Sequence, residues 1–311
     1  MEDRKFRLIT RSDFDGLVSA ILLKEIDLIE DIFFVHPKDM QDGTVPVTDG
    51  DILSNLPYNK NAHLVFDHHL SEAMRVRDKP ENYIIDPTSP SAARVIYNYY
   101  GGKNSFPHIE FFDIMEAVDK CDAARFSPEE IIHPNAWVLL GFLMDARTGL
   151  GRFKEFSISN YDLMINLIDY CRDHTGDEVL KQPHVKERVD LYMEHQEKFK
   201  EQIRRCITVH GNLGVLDLRK EEIIYAGNRF MIYAMYPNIN ISIHAMRGRN
   251  DQNTVFAVGK SIIDRSSITN VGALMLKYGG GGHQAAGTCQ IDNDRADEVL
   301  KKLIAGITAD G

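Results

Sequence analysis

The feature that most constrains this fold is a regular alternation of short apolar runs with helical patterns over about the first 125 residues. Apolar runs of strand length occupy residues 6–9, 32–35, 64–66 and 83–85, and a helical pattern fills residues 16–29. Strand–helix–strand units of this kind build a mostly parallel sheet covered by helices. The sequence therefore predicts an α/β fold whose amino-terminal part is a doubly wound, mostly parallel sheet.

The pattern changes in the second half of the chain. Residues 158–205 have a helical pattern throughout. Short β-type runs then return, with two helices near 267–278 and 293–305, the runs lying at residues 207–209, 215–218, 223–226, 239–243 and 254–258. We therefore predict a first domain at residues 1–180, a linker helix at 181–205 and a smaller α/β domain at 206–311.

Composition excludes several classes of protein. The 311 residues include 36 Lys and Arg, 46 Asp and Glu and 43% hydrophobic residues, which is typical of a globular chain rather than a disordered or collagen-like one. No apolar run reaches the roughly 18 residues that a membrane span needs. The first residues also lack the apolar core of a secretory signal. We therefore expect a cytoplasmic protein with no membrane partner.

Cysteine spacing and net charge narrow the binding partners. The four cysteines include no Cys-x-x-Cys pair, which argues against a cysteine-built zinc site and against a disulfide framework. The net charge of −10 argues against broad binding of duplex nucleic acid, although a local basic pocket or bound cations can still receive a small anion. The sequence leaves open whether the chain forms a homodimer.

Two clusters of polar residues follow predicted strands. Asp13 and Asp15 come just after the first strand, and Asp67-His68-His69 directly follows the strand at residues 64–66. Ligands of doubly wound sheets bind at the carboxyl ends of the strands, and adjacent carboxylate and imidazole groups suit Mn²⁺ or another divalent transition metal. The alternatives are a helix-capping Asp for the first cluster and a solvated turn for the second.

Two further motifs lie downstream. Asp119 and Asp122 are three residues apart, which puts both carboxylates on one face of a helix, although an exposed acidic helix end has the same pattern. Four glycines at residues 279–282 precede His283. Such a loop lets backbone N–H groups approach an anion, and a merely flexible turn is the alternative. Gly259-Lys260-Ser261 is not a P-loop, because no glycine stands five residues before Gly259.

In this order along nearly the whole chain, Asp13-Phe14-Asp15-Gly16, Asp67-His68-His69, Asp119 and the Gly-rich loop with His283 resemble the DHH phosphoesterase superfamily. The resemblance is to the branch whose small carboxy-terminal domain carries a Gly-Gly-Gly-His loop. That branch includes RecJ-type exonucleases, nano-RNases, cyclic-dinucleotide phosphodiesterases and exopolyphosphatase-related proteins. The resemblance implies a hydrolase of phosphoric ester bonds that binds two Mn²⁺ ions.

The resemblance also implies a set of metal ligands. Asp13 would bind the first ion, and Asp15, His68 and Asp119 would bind the second. Asp122 is a further candidate on the same helix face as Asp119. The ions are expected to be Mn²⁺, with Mg²⁺ or another divalent cation as alternatives.

Catalytic and substrate-binding roles follow from the same resemblance. Asp67 would orient the metal cluster, and His69 and His283 would face the phosphate. The backbone of Gly280, Gly281 and Gly282 would approach the substrate. In the second domain, three arginines are candidates for holding a terminal phosphate or a base, with an ordinary surface position as the alternative for each: Arg229, Arg247 and Arg265.

Two positions depart from the family pattern. Family members have a histidine two or four residues before the first Asp, where this chain has Arg11 and Ile9. They also have a bridging Asp at the end of the third strand, and the strand boundary decides whether Asp49, Asp51 or Asn55 takes that place here. Asn55 fits the rhythm of a strand followed by proline best, so the first metal would lose two ligands.

These motifs lead to one main hypothesis and two alternatives. The main one is a Mn²⁺-dependent phosphohydrolase in which metal-activated water attacks phosphorus in a nucleotide or short oligonucleotide, with no covalent enzyme intermediate. If one metal is missing, Arg11 can supply a fixed positive charge at the phosphate. The alternatives are an exopolyphosphatase-like hydrolase and a degenerate nucleotide-binding regulatory module.

Overall fold

The computed structural model describes residues 4–76, 78, 80–111, 113–153 and 155–311, and the chain divides into two compact units. The first unit comprises Met1–Arg125 and Pro134–Asp190, and the second comprises Phe126–His133 and Leu191–Gly311. The predicted two-domain α/β class is confirmed.

The first half of the chain alternates strands and helices as its sequence rhythm predicts. Its elements are, in order, β1 (Phe6–Arg11), α1 (Phe14–Glu25), β2 (Ile29–Val35), α2 (Pro37–Gln41), β3 (Asp51–Ser54), β4 (Leu64–Asp67), α3 (Leu70–Arg75), β5 (Tyr83–Ile85), α4 (Ala92–Tyr99), α5 (Pro107–Phe111) and α6 (Ile114–Asp122). The helix predicted at residues 16–29 ends earlier, at Glu25, because Asp27 adopts a left-handed backbone conformation with φ 58° that no helix continues through.

The second half begins with helices and then forms a second sheet. Its elements are α7 (Pro128–Ile132), α8 (Ala136–Met144), α9 (Asn160–Asp173), α10 (Gly176–Val179), α11 (Pro183–Cys206), β6 (Ile207–His210), β7 (Leu213–Asp217), α12 (Met231–Met235), β8 (Ile241–Arg247), β9 (Asn253–Lys260), α13 (Val271–Leu276), β10 (Gly281–His283), β11 (Ala286–Asp292) and α14 (Ala296–Asp310). Short 3-10 turns lie at Gly102–Asn104, Ala146–Thr148, Leu150–Arg152 and Arg249–Asp251.

The sheet of the first unit is wholly parallel, with strand order β2-β1-β3-β4-β5. The chain leaves β1 to one side for β2 and returns to the other side of β1 for β3. The carboxyl ends of β1 and β3 therefore form the topological switch point, which is where doubly wound folds bind ligands. Helix α1 starts at this edge, and residues 14–23 are all buried, as expected of a helix in the middle of a core.

The second unit contains a six-stranded sheet with order β10-β11-β9-β8-β7-β6, antiparallel except for the pair β7 and β8. Helices α13 and α14 contribute apolar residues to the core of this unit, among them Met275 and Leu303. Four of the five predicted strands in this half are confirmed.

The strand predicted at residues 223–226 is wrong, since that segment forms no strand. Its backbone groups bond to side chains of α11 instead: Gln202 Nε2 donates to the Ile223 carbonyl at 2.7 Å, and Gln202 Oε1 accepts from Tyr225 N at 3.1 Å. His195 Nδ1 accepts from Ala226 N at 3.1 Å. None of the described helices combines the length and apolar character needed to cross a membrane.

Candidate functional site

The candidate site lies in the first unit, at the carboxyl ends of β1, β3 and β4. Asp13 follows β1 and caps α1, Asn55 follows β3, and Asp67 is the last residue of β4. Because these strands are parallel neighbours, their carboxyl ends meet at one edge of the sheet, and the two polar clusters of the sequence are brought together there.

Asp15, His68 and Asp122 form a group of three potential metal ligands, with one ligand atom from each within 4.8 Å of the others. His68 Nε2 lies 3.0 Å from Asp122 Oδ2, and His68 Nδ1 lies 3.3 Å from the Ser89 carbonyl oxygen. A ring whose Nδ1–H donates to a backbone carbonyl presents Nε2 for coordination, which is how metal-binding histidines are oriented. The three side chains therefore suit a divalent cation.

The backbone of α4 holds Asp15 in place. Asp15 is 2% exposed, and its two carboxylate oxygens accept from Ala92 N at 2.9 Å and Ala93 N at 2.7 Å. These N–H groups belong to the first turn of α4, which has no intrahelical acceptors for them. The same carboxylate thus satisfies the start of α4 and points into the ligand cluster.

The charges of the cluster perturb one another. Burial, and then repulsion from Asp122, raises the pKa of Asp15 to about 7. Burial alone disfavours a charged His68, but the hydrogen bond to Asp122 and the charge of Asp15 raise its pKa to about 9. Without metal, a charged imidazole thus offsets part of the carboxylate charge, and a bound cation would release that proton.

Asp119 lies outside this cluster, although the resemblance assigns it to the second ion. Its Oδ1 accepts from Ser91 Oγ at 2.8 Å and its Oδ2 accepts from Arg94 Nε at 2.8 Å, with Arg94 Nη2 at 2.6 Å. Asp122, one turn later on α6, is the residue that reaches His68. Both carboxylates of the sequence pair are thus engaged, Asp119 with α4 and Asp122 with the ligand cluster.

Asp13 is engaged by other residues of the chain. Its Oδ1 accepts from Gly16 N at 3.0 Å as the cap of α1, and its Oδ2 lies 3.1 Å from Arg11 Nε. Both readings of the sequence, a helix cap and a site residue, thus fit Asp13. Burial raises its pKa, the charge of Arg11 opposes that rise, and the neighbouring Asp122 adds to it.

Asp67 positions His69. Asp67 is fully buried, and its Oδ1 lies 2.7 Å from His69 Nδ1 and accepts from His68 N at 2.8 Å, while its Oδ2 accepts from Tyr83 Oη at 3.2 Å. This carboxylate fixes the imidazole ring, so Nε2 of His69 faces away from Asp67. His69 is the more exposed of the two histidines.

The structure places Asn55, and neither Asp49 nor Asp51, directly after β3. Asp51 begins β3 and so lies at the opposite end of the sheet from the ligand cluster. Its carboxylate accepts from Arg7 Nε at 2.7 Å and from Thr48 N at 2.7 Å. Asp49 is exposed and pairs with Arg4 at 3.0 Å. The position next to the cluster therefore carries an amide instead of a carboxylate.

Sequence reasoning missed Arg147. Against the cost of desolvating the guanidinium, the carboxylates of Asp145, Asp13 and Asp122 raise its pKa. Arg147 Nε donates to Asp145 Oδ1 at 2.7 Å. It lies in a 3-10 turn after α8 and matches no motif, so only the fold reveals that it stands near the acidic cluster.

The glycine-rich segment of the second unit forms a hairpin. Gly281–His283 pairs with Ala286–Asp292, and a Cβ on Gly280 would lie 2.1 Å from the Thr288 carbonyl oxygen, so packing itself requires that glycine. A Cβ on Gly281 would meet nothing within 4 Å. His283 is exposed, and its Nδ1 accepts from Ala285 N at 3.1 Å.

The arginine candidates of the second unit differ in their surroundings. Arg247 Nη2 donates to the Glu221 carbonyl at 2.6 Å, and Arg265 Nε donates to the Ile262 carbonyl at 3.3 Å. The Arg229 guanidinium lies 4.2 Å from the centre of the Phe230 ring.

Known structures resemble the whole chain. A pGpG-specific phosphodiesterase, PggH from Vibrio cholerae, is 61% identical, with a TM-score of 0.88 and coverage of 99% of this chain and 100% of that one. Two distant structures share the fold alone. Exonuclease RecJ bound to manganese is 14% identical, with a TM-score of 0.50 and coverage of 98% and 90%. CDC45 from Entamoeba histolytica is 10% identical, with a TM-score of 0.52 and coverage of 99% and 96%.

No protein-family profile and no curated protein matches the chain. Identity of 61% over essentially the full length of both chains nevertheless establishes common descent with the pGpG phosphodiesterase. Taken with Asp13 after β1 and the Asp67-His68-His69 motif at the end of β4, it shows that the chain belongs to the DHH phosphoesterase superfamily.

Proposed function

We propose that this chain is a divalent-metal-dependent phosphodiesterase that hydrolyses a short oligonucleotide of the pGpG class. Its family makes it a hydrolase of phosphoric ester bonds. The observation that carries the metal requirement is the convergence of Asp15, His68 and Asp122 at the sheet edge where ligands bind. The substrate class rests on the 61% identity to a pGpG-specific phosphodiesterase.

Asp15, His68 and Asp122 would hold the cation, and two carboxylates with one imidazole suit Mn²⁺ among the common divalent ions. When bound, such an ion lowers the pKa of water and offsets the charge of the phosphate. The α4 N–H groups and the Ser89 carbonyl keep Asp15 and His68 oriented before the substrate arrives.

Other residues of the first unit act on the phosphate and on protons. His69, held at Nδ1 by Asp67, presents Nε2 to a phosphate oxygen or to the leaving oxygen and can pass a proton at that atom. Arg147 adds positive charge beside the carboxylates. In the second unit, the open face of Gly281 and the exposed ring of His283 are our candidates for substrate contact.

The test is a hydrolysis panel with Mn²⁺ present or chelated. The substrates are pGpG, pApA, a longer RNA, a cyclic dinucleotide and polyphosphate. His68→Ala is compared with His63→Ala, because His63 precedes β4 and lies at the opposite end of the same strand. We expect cleavage of pGpG that needs the metal, falls at least about 100-fold in His68→Ala and persists in His63→Ala.

Three outcomes would contradict the proposal. Full activity in the presence of a chelator, or in His68→Ala, would remove the metal cluster from the mechanism. Failure to cleave any phosphoester of the panel, with Mn²⁺ bound, would favour a regulatory nucleotide-binding module. Cleavage of polyphosphate in preference to pGpG would replace the substrate class.

A further inference from the structure

A pocket next to the ligand cluster is lined partly by polar side chains. It has a volume of about 140 Å³, and Arg11, Asn55, His69 and Glu72 are among the residues that line it. This space is large enough for several water molecules and therefore for a tetrahedral phosphate group of five heavy atoms. All of these residues belong to the first unit.

Asn55 contributes a buried side-chain amide to the wall of this pocket. It is 2% exposed, and neither Oδ1 nor Nδ2 of its amide has a hydrogen-bond partner among the described residues. A buried polar group without a partner costs about 1–3 kcal/mol. Its φ of 57° is a left-handed conformation in which asparagine is favoured over most other residues. The fold thus keeps an unsatisfied amide at the pocket wall.

Arg11 supplies positive charge to the same pocket. Its Nε lies 3.1 Å from Asp13 Oδ2, which anchors the guanidinium. In the part of the chain that the structure describes, no bond involves its two Nη atoms, and the side chain is 35% exposed. A guanidinium that is paired with a carboxylate at Nε, and whose Nη groups make no hydrogen bond to the described residues, can match the oxygens of a phosphate.

The remaining polar walls do not oppose an anion strongly. His69 is held by Asp67 at Nδ1, which leaves Nε2 for the pocket. Among the described residues that line the pocket, Glu72 alone carries a negative charge, and the guanidinium of Arg75 binds its carboxylate through Nε and Nη2. The arginine and amide donors therefore face a carboxylate that is already paired.

The same contacts disfavour a cation at the first of the two ion positions of the family pattern. In the family pattern, a first ion would use Asp13, a preceding histidine and a bridging Asp. Here Asp13 is bound to Arg11 and Gly16, and Asn55 follows β3. A guanidinium beside Asp13 repels a divalent cation. The residues present thus fit one ion, at Asp15, His68 and Asp122, and not the other.

We propose that the pocket formed by Arg11, Asn55 and His69 binds a phosphate group of the substrate, in the place where the family pattern has the first of its two metal ions. This inference rests on the proposed phosphodiesterase function. Each chain then binds one divalent ion, and the second positive charge at the reacting phosphate is the guanidinium of Arg11.

Two binding measurements on the full chain test this directly. The first counts Mn²⁺ per chain by calorimetric titration and elemental analysis, with one ion expected. The second measures the affinity for inorganic phosphate in the presence of Mn²⁺. We expect the dissociation constant for phosphate to rise at least tenfold in Arg11→Gln and in Asn55→Asp. Lys24→Gln, which removes a charge at the other end of α1, is the matched control.

A third measurement needs no variant in the titration itself. The side-chain amide of Asn55, identified in ¹⁵N NMR spectra by its absence in Asn55→Asp, should shift when phosphate is added to the wild-type chain. Any of three results would overturn the inference. They are two tightly bound Mn²⁺ ions in the wild type, an Asn55 amide signal that does not shift with phosphate, and unchanged phosphate affinity in both folded variants. If pGpG is not cleaved but phosphate binds through Asn55, the proposed activity is refuted and the phosphate-binding pocket is supported.

Discussion

The two carboxylates of α6 offer a sharp test of the site, because the structure assigns them different partners. Asp119 binds Ser91 and Arg94, whereas Asp122 lies 3.0 Å from His68 in the ligand cluster. We predict that Asp122→Asn weakens Mn²⁺ binding at least about 100-fold and that Asp119→Asn leaves it nearly unchanged. Loss of an outer-shell partner already costs 10- to 100-fold, and loss of a ligand costs more.

These changes in Mn²⁺ affinity give the expected changes in the free energy of unfolding. Mn²⁺ at about 100 times its dissociation constant stabilises the wild type by about 2.7 kcal/mol, and the same concentration would stabilise a 100-fold weaker Asp122→Asn by about 0.4 kcal/mol. Asp119→Asn loses a mostly buried ion pair with Arg94, in which the side chains are 25% and 16% exposed. We expect about 2 kcal/mol of lost stability from that change, with or without metal.

The assay combines calorimetric Mn²⁺ titration with urea unfolding in chelator and in Mn²⁺. Asp122→Asn should gain little from Mn²⁺, whatever the loss of its pair with His68 does to unfolding in chelator. Asp119→Asn should unfold earlier in both conditions and gain as much from Mn²⁺ as the wild type. The reverse pattern, with Mn²⁺ binding lost in Asp119→Asn and kept in Asp122→Asn, would refute the reasoning.

Three further predictions concern the second unit. Burial, reinforced by the charge of Arg229, lowers the pKa of His244 to about 4. As pH falls, the unfolded chain, in which the pKa of His244 is about 6.5, binds a proton at this ring before the folded chain does. The free energy of unfolding therefore falls by about 3 kcal/mol as pH drops from about 6.5 to 4. His244→Gln should lack this component in urea unfolding at the two pH values, and an identical pH dependence would contradict it. Gly281→Ala should keep wild-type stability within about 0.5 kcal/mol, since its Cβ meets nothing within 4 Å, yet lower kcat/KM for pGpG at least tenfold. Gly280→Ala, with its Cβ 2.1 Å from the Thr288 oxygen, should be destabilised by about 1–3 kcal/mol. Unchanged kcat/KM in Gly281→Ala would mean that this glycine is not needed for substrate approach.

Much of the fold could be predicted from local patterns. Short apolar runs separated by helical patterns predict parallel strands, and the observed β1, β2, β4 and β5 end at or near the ends of the predicted runs, whereas β3 was not among those runs. The Asp67-His68-His69 motif follows its strand without a gap, so its place at the sheet edge needs no tertiary information. The segment at 223–226 misled the prediction because its backbone bonds to the side chain of Gln202, a partner far away in sequence.

The sequence by itself determined the class of fold, the edge of the sheet that bears the site and the residue types available there, since strand and helix periodicity and motif position are local properties. Only the tertiary structure decided which residues are joined. Spacing puts Asp119 and Asp122 on one helix face, but in the folded chain Asp119 binds Arg94 of α4 and Asp122 contacts His68 in the cluster. The end of β3 brings Asn55 to the pocket, and Arg147 is close to Asp13 only through folding. Contacts between distant segments depend on how helices pack on the sheet, and no local pattern encodes that packing.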